Sequence, residues 1–513
     1  MLDTLPDLNL FSLSCRLRAG FRCLRPGMLA VLTVVGMVLC PGALARDDVR
    51  LGIQLEPPAL DPTVTASASA GEITYGNLFE GLTMVGPNGR LMPRLAVSWQ
   101  RSEDGLSYDF TLRRGVRFHD GREFNALVAA FSLRRILADD SGNPQRNWFA
   151  KIKAVETVGA DHIRVLLHAP DALLPFALAL PAAVMVHPAS VADNATQPVG
   201  TGPFRLGNWE RGRMVSLIRN ENYWGKAPAL ARADFVFMHA SSETGNMLAE
   251  GLVDGLISVT RVTDRFMVRP DYRMTERGLE SKLILAINNA RPPFDDLRVR
   301  QALSHAVDRS LLRELYGPQF SPVMIGSHFA PTHPAYVDLQ GRYPYSPEKA
   351  RALLETAGVS EGYEVELIIP PTDYGRYGAQ SIADDLEEIG FRVEIVEYEW
   401  DDWLEKVFRR HDYALTLILH VEPMDIDIYA RDDYYFNYDN EAFKHIWSQV
   451  LSADSEGEMN RHLQEAQRRI TEDAVNVFLL MRPEQNLMHR DLSGFWEKSP
   501  IPSFILEDLR WTR

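Results

Sequence analysis

Cysteine is nearly missing from this sequence. Its 513 residues hold three, Cys15, Cys23 and Cys40, and all precede residue 46. From residue 46 onward this excludes disulfides, a cysteine nucleophile and thiolate metal ligation, and it suits an oxidising compartment where a stray thiol is a liability. Long apolar runs are missing too. "MLAVLTVVGMVLC" (Met28–Cys40) has 13 residues, short of the roughly 20 needed to span a bilayer, and the later apolar stretches are short. Positive charge is in deficit: 54 Lys and Arg stand against 69 Asp and Glu, a formal net charge of −15. Such a chain is a poor binder of nucleic acid and is not drawn to anionic membranes. The patterns G-x-x-x-x-G-K-[ST], G-x-G-x-x-G and H-E-x-x-H do not occur, which removes the signatures of NTPases, dinucleotide enzymes and zincins. There is no low-complexity linker, coiled coil or 20–50-residue repeat.

What is present begins with an export signal. Arg16, Arg18, Arg22 and Arg25 precede the 13-residue apolar run, and "ALA" (Ala43–Ala45) supplies the small residues read by signal peptidase. Cleavage is expected near Ala45, with residues 1–45 removed and the product periplasmic. Leu39 before Cys40 is bulky where a lipoprotein signal needs a small residue, which favours a soluble product. The remaining length implies two or more domains.

Periodicity gives a mixed α/β chain. "YDFTLRRGVRF" alternates as a half-buried strand does, and "LVAAFSLRRILAD" has helical spacing. Asp295 or Asp296 caps one helix, Asp308 caps a second that Gly317 stops, and Ser346-Pro347 opens a third that ends at Gly358. "YEVELIIP", "AQSIADDLEEIG" and "FRVEIVEYE" form a βαβ unit, with "PPTDYGRYG" as the loop between the first two. Residues 441–474 are expected to be helical, with a strand at "NVFLLM".

Few stretches carry chemistry. "SPEK" (Ser346–Lys349) is a capped helix start rather than a serine–lysine pair. His119 belongs to a turn, and His328 and His333 have no third ligand near them in sequence. "GTGPF" (Gly200–Phe204) lacks the Lys and following helix of a phosphate loop and reads as a tight turn into a hairpin around "ERGR". The densest stretch is "LHVEPMDIDIYARDDYYF" (419–436), with Glu422, Asp425 and Asp427 behind His420. Its acids fit paired-carboxylate hydrolysis, a metal, or the positive charge of a ligand. No base or oxyanion motif accompanies them. "DIDIY" alternates, so a strand there would turn Asp425 and Asp427 to one side.

Ordered landmarks narrow the choice. "EPPALDP" (56–62), "NLFEGL" (77–82), "LMPRLAVSWQRSEDGLSYDFTLRRGVRFHDG" (91–121), "GTGPFRLGNWERG" (200–212), "RNENYWG" (219–225), "LAEGLVDG" (248–255), "PPFDDLRVRQALSHAVDRSLL" (292–312) and "YSPEKARALLETAG" (345–358) occur in this order. Together they resemble the periplasmic solute-binding proteins of peptide, nickel and opine ABC transporters, the bacterial extracellular solute-binding proteins of family 5. Two places depart from the pattern: Asn125–Val128 replace an acid-Val helix start, and Leu419 or His420 stands where relatives often carry Trp.

The resemblance implies an α/β fold of two lobes, a Venus-flytrap binding protein with mixed sheets and an extra inserted subdomain. Lobe I would comprise 46–80, 196–278 and 488–513, the insertion 81–195, and lobe II 279–487, with hinges near 278 and 488. It implies a monomeric, non-enzymatic receptor without cofactor or resident metal that hands a small solute, a peptide or a peptide-like compound, to a permease and an ATPase on separate chains. A nickel chelate, an opine or a sugar conjugate is the alternative solute. Matching the pattern puts Glu422 at the position that meets a peptide's α-ammonium, with Asp425 next in the run and His420 beside them. Arg376 falls where some relatives place the partner of the peptide carboxylate. Ser67 and Ser69 fall in the segment that reaches the cleft from lobe I, and Tyr374, Tyr377 and Tyr429 are candidates for lining it.

Overall fold

The computed structural model describes residues 46–65, 67–238, 247–259, 270–316, 322–497 and 500–512. The expected leader, residues 1–45, and Gly317 lie outside them. Arg46–Arg513 form one compact unit.

β1 (Asp48–Ile53) leads through a short helix (Ala68–Thr74) to a hairpin of β2 (Thr83–Val85) and β3 (Leu91–Pro93). β4 (Ala96–Arg101), β5 (Ser107–Leu112), β6 (Ile152–Thr157) and β7 (His162–Leu167) make a separate antiparallel sheet of order β4-β5-β7-β6. Tyr108, Phe110 and Leu112 alternate inward along β5, as the sequence predicts, and pack with Phe124 and with Leu133 from the helix Ala126–Leu137 that follows it. This is the inserted subdomain. The Asn125 side chain caps that helix, accepting from the amides of Leu127 and Val128 at 3.0 and 3.2 Å, so the altered helix start still works.

The remaining strands build one mixed sheet. They are β8 (Phe204–Glu210), β9 (Met214–Arg219), β10 (Arg232–Phe237), β11 (Gly255–Leu256), β12 (Tyr272–Ile287), β13 (Val323–Met324), β14 (Tyr363–Ile369), β15 (Phe391–Glu397), β16 (Leu415–His420) and β17 (Asn476–His489). The order is β15-β14-β16-β12-β17-β11-β1-β10-β9-β8, with β13 on β17. β1 and β8–β11 belong to one lobe and β13–β16 to the other. β12 and β17 are long enough to serve both. Their ladder breaks between Arg277 and Ser281, opposite Glu484 and Arg482. Residue 278 falls in that break, whereas Met488 is inside the ladder, paired with Arg273 and Gly255.

Local chemistry explains the helices of lobe II. Asp296, Asp308 and Ser346 cap as expected, and Gly358 ends its helix at φ 79°. One expectation changes: "PPTDYGRYG" is not a loop. The helix runs Asp373–Glu388, capped by Thr372, whose hydroxyl accepts from the Gly375 amide at 3.2 Å. Its glycines suggested a turn, but Gly378 is there for packing. A Cβ at that position would meet the Tyr316 hydroxyl at 2.7 Å and Leu417 Cδ2 at 2.8 Å.

Four of the sequence landmarks converge on one buried charge. Glu80 of "NLFEGL" lies 2.6 Å from Arg94 Nε and accepts from Tyr223 OH (2.9 Å), Trp224 Nε1 (2.9 Å) and Thr201 Oγ1 (2.7 Å). A buried carboxylate is tolerable only with such partners. The "GTGPF" turn is packed just as closely, since a Cβ on Gly200 would sit 1.9 Å from the Leu78 carbonyl oxygen. His119 accepts from the Gly200 amide at Nδ1 and therefore donates from Nε2 to the Gly202 carbonyl, both at 3.2 Å. It ties down the turn.

Candidate functional site

Strand direction fixes where the lobes face each other. β1 runs parallel to β10 and β11, and β14 runs parallel to β15 and β16. The shared ladder turns these two sets head to head. Leu256, ending β11, pairs with Leu487; His420, ending β16, pairs with Lys282, which pairs with Met481. Both sets of C-terminal ends therefore open onto the stretch of β17 from Arg482 to Asn486, about 15 Å at the usual strand rise. Ligands in parallel α/β sheets bind outside the carboxyl ends of the strands.

The lobe I wall carries Gln54 and Leu55 after β1 and Ser258 after β11. Gln54 Nε2 donates to the Ser258 carbonyl at 2.8 Å, and the Ser258 amide donates to Asn486 Oδ1 at 3.1 Å. The Ser258 hydroxyl donates to Glu72 in the helix Ala68–Thr74 at 3.2 Å. Ser67 and Ser69 stand at the start of that helix, their hydroxyls 2.8 Å apart; Ser69 is buried and Ser67 half-buried.

On the lobe II side, His420, Glu422 and Asp425 sit at the end of β16, but they do different things. Asp425 is buried and multiply engaged. Lys282 Nζ lies 2.6 Å from its Oδ1, His328 Nε2 lies 2.6 Å from the same oxygen, and His420 Nδ1 lies 3.3 Å from Oδ2. Lys282 also donates to the Glu422 carbonyl oxygen at 3.1 Å. Burial pushes the Asp425 carboxyl up, but the Lys282 charge and the two imidazoles outweigh it and hold it well below the usual range. Burial and the Lys282 charge push His328 down to about 4. A neutral His328 donates from Nε2 to Asp425 and accepts the Tyr429 hydroxyl at Nδ1, 3.3 Å away. Asn476 donates to that hydroxyl at 3.2 Å, and His420 Nε2 meets the Tyr435 hydroxyl at 3.0 Å. Tyr429 is fully buried.

Glu422 is exposed, its Oε2 accepting from the Val421 amide at 3.2 Å. Asp427 pairs with Arg431 one turn on, at 2.5 Å. The expected alternation of "DIDIY" does not hold, because Asp425–Ala430 form a 3₁₀ helix entered through Met424 at φ 58°. Three residues per turn separate the two aspartates. Arg376 is on the exposed face of its helix, gripped by Glu397 at 2.7 and 2.8 Å. Tyr377 is exposed and Tyr374 half-buried nearby.

Donor atoms of His420, Glu422 and Asp425 come within 4.8 Å of one another. The Lys282 ammonium already occupies the Asp425 oxygen that a cation would use, so this donor set is organised around an internal ammonium. Where the inserted sheet meets lobe II, a cavity of about 440 Å³ is lined by Trp99, Arg101, Phe176, Met424, Glu456 and Met459. Arg101 holds its edge, donating to the carbonyls of Ser452 and Ala453.

Sequence reading missed Lys282 and Arg482, and it set aside His328, which is buried and bonded to Asp425 rather than in a surface loop. Two of them carried a signal: Lys282 in "SKLILAI" and Arg482 in "NVFLLMRPEQNLMH" are lone cations in apolar strands, and such charges need a partner.

Comparison with known proteins agrees with this geometry. The model of the bacterial extracellular solute-binding proteins, family 5 (Middle), matches residues 90–440. Haem-binding protein A of Haemophilus influenzae is 32% identical over 61% of this chain, a match that spans 63% of that relative, less than two thirds of its length. Di/tripeptide-binding protein 2 of Pseudomonas aeruginosa is 30% identical over 70% of this chain and 74% of its own. The PBP AgaA from A. tumefaciens R10, solved with agropinic acid, superposes with a TM-score of 0.74 at 25% identity, covering 91% of this chain and 99% of AgaA. The chain belongs to the family 5 solute-binding proteins.

Proposed function

We propose, on the premise of that family membership, that the chain is the substrate-binding component of an ABC importer. It captures a peptide or peptide-like solute in the periplasm between its lobes and delivers it to a membrane permease. The observation that supports this reading most is the head-to-head opening of two parallel strand sets onto residues 482–486. β12 and β17 are the hinge, and the ladder break between Arg277 and Ser281 is where backbone rotation is absorbed. Glu422, exposed at the end of β16, is positioned to meet a ligand amine, and closure would strengthen that pair by removing water.

A second reading, an opine, a metal chelate or a sugar conjugate, is favoured by one observation. The buried carboxylate of the site, Asp425, is already neutralised by Lys282, so a free α-ammonium finds no counter-charge there. A thermal-shift panel of di- to pentapeptides, agropinic acid, nickel–histidine and glutathione separates the readings. A native-state ligand at a hundredfold its Kd adds about 2.7 kcal/mol. Peptides that raise the melting temperature support the first reading, and a response restricted to the other solutes supports the second. No response from any member defeats the receptor reading.

A further inference from the structure

The floor of the cleft contains a cation without a counter-charge. Arg482 is half-buried in β17, one residue beyond Met481, which marks the end of lobe II's strands, and it pairs with Ser281 at the ladder break. Among the described residues no carboxylate lies within ion-pair distance of its guanidinium and no side-chain hydrogen bond engages it. Its neighbour is the Tyr316 ring, whose centroid is 5.9 Å away, at the outer limit of a cation–π contact.

Three other enclosed arginines among the described residues have such partners. Arg94 has Glu80 and Glu507, Arg300 has the carbonyls of Phe294, Asp295 and Asp473, and Arg309 has those of Ile325, Gln340 and Tyr343. Glu484, two residues on in β17, is engaged by another group. A guanidinium with five donors, removed from part of its water and left unmatched, is costly unless something completes it.

Position says what completes it. The alternation of β17 sets Arg482 on the same face as Asn486, which binds Ser258 on the lobe I wall. On the lobe II side Arg482 faces Tyr316, whose hydroxyl donates to the Tyr374 carbonyl at 2.5 Å, where the chain leaves β14 for its helix. Arg482 thus stands on the floor between both walls. Arg376, the other arginine at this end of the sheet, is held by Glu397.

We propose that Arg482 grips a carboxylate of the captured solute, so that the ligands of this protein are carboxylate-bearing compounds anchored at the hinge. The fork of the guanidinium matches a carboxylate through two parallel hydrogen bonds. An anion seated there contacts the strand that joins the lobes, which couples its binding to closure. The proposal rests on the receptor reading above and adds the charge class of the ligand and the residue that selects it.

The test uses the whole protein and titration calorimetry with the solute panel named above, adding the C-terminal amide of each peptide and the amides of agropinic acid and glutathione. For any solute that binds, the expected result is an amide at least about thirtyfold weaker than its free acid. Arg482→Gln should weaken the free acid to the level of the amide and leave the amide unchanged, while Arg482→Lys restores part of the difference. The acid–amide comparison needs no variant, so a misfolded Arg482→Gln does not end the test. Equal binding of acid and amide, or a ratio that survives Arg482→Gln, overturns the assignment of Arg482 and leaves the receptor reading standing. A panel in which nothing binds the unaltered protein overturns the receptor reading, and this inference with it.

Discussion

Lys282 Nζ stands 2.6 Å from Asp425 Oδ1, with the lysine side chain fully enclosed and the aspartate 7% exposed. The pair joins β12 to the loop that follows β16, and so fixes the end of lobe II that faces the cleft. Removing one member strands the other charge without water. Lys282→Met should lower unfolding free energy by about 3–5 kcal/mol, and Lys282→Met combined with Asp425→Leu should recover a good part of it. Urea denaturation of the single and double variants measures both.

The histidine beside that pair gives stability a pH dependence. His328 titrates at about 4 in the folded protein, against an ordinary value of 6.5. Between these values the unfolded chain binds the extra proton, so stability is complete above about pH 6.5 and falls as pH drops toward 4. The loss over that window is about 3 kcal/mol. Asp425, held below the usual range, adds a further loss only at still lower pH. Melting curves from pH 7 to 4.5 should show the fall, and His328→Gln should remove about half of it, because burial pushes His119 down to about 4 as well.

Glu422 should behave in the opposite way. It is exposed, and among the described residues its carboxylate accepts a hydrogen bond from the neighbouring Val421 amide. Glu422→Gln should change unliganded stability by less than about 0.5 kcal/mol. It should weaken a solute bearing a free amine, by about 2–5 kcal/mol if closure buries the pair, and leave an amine-blocked solute unaffected. Calorimetry with a peptide and its N-acetyl form reads the difference.

Glu80 is the structural counterpart. Its carboxylate is shared by Arg94, Tyr223, Trp224 and Thr201. Glu80→Leu should cost about 3–5 kcal/mol by removing the acceptor shared by Thr201, Tyr223 and Trp224 and leaving buried Arg94 with Glu507 alone, while ligand affinity in the surviving folded fraction stays unchanged.

Much of the fold was legible because its signals are local. The alternation of β5, the caps Asp296, Asp308 and Ser346, and the βαβ unit each depend on residues close in sequence. The helix start at Asp373 was hidden because Gly378 looks like a turn residue until Tyr316 and Leu417 are seen to need the space. The site was less legible because its chemistry joins distant strands. His420 and Asp425 are visible as a cluster, yet what each does depends on Lys282 and His328, 143 and 97 residues away from Asp425. The role of Arg482 becomes arguable only once the register of β17 places it between the walls.

The central claim, that two lobes close on a solute between opposed strand ends, has a direct test. Leu55 and Val421 are 68% and 45% exposed on the opposing walls, and no cysteine follows Cys40. With Cys15, Cys23 and Cys40 changed to Ser, spin labels at Leu55→Cys and Val421→Cys report the distance between the walls by pulsed electron paramagnetic resonance. The account predicts that a stabilising solute shortens and narrows that distance distribution. A distribution unchanged by a solute shown to be bound would contradict it.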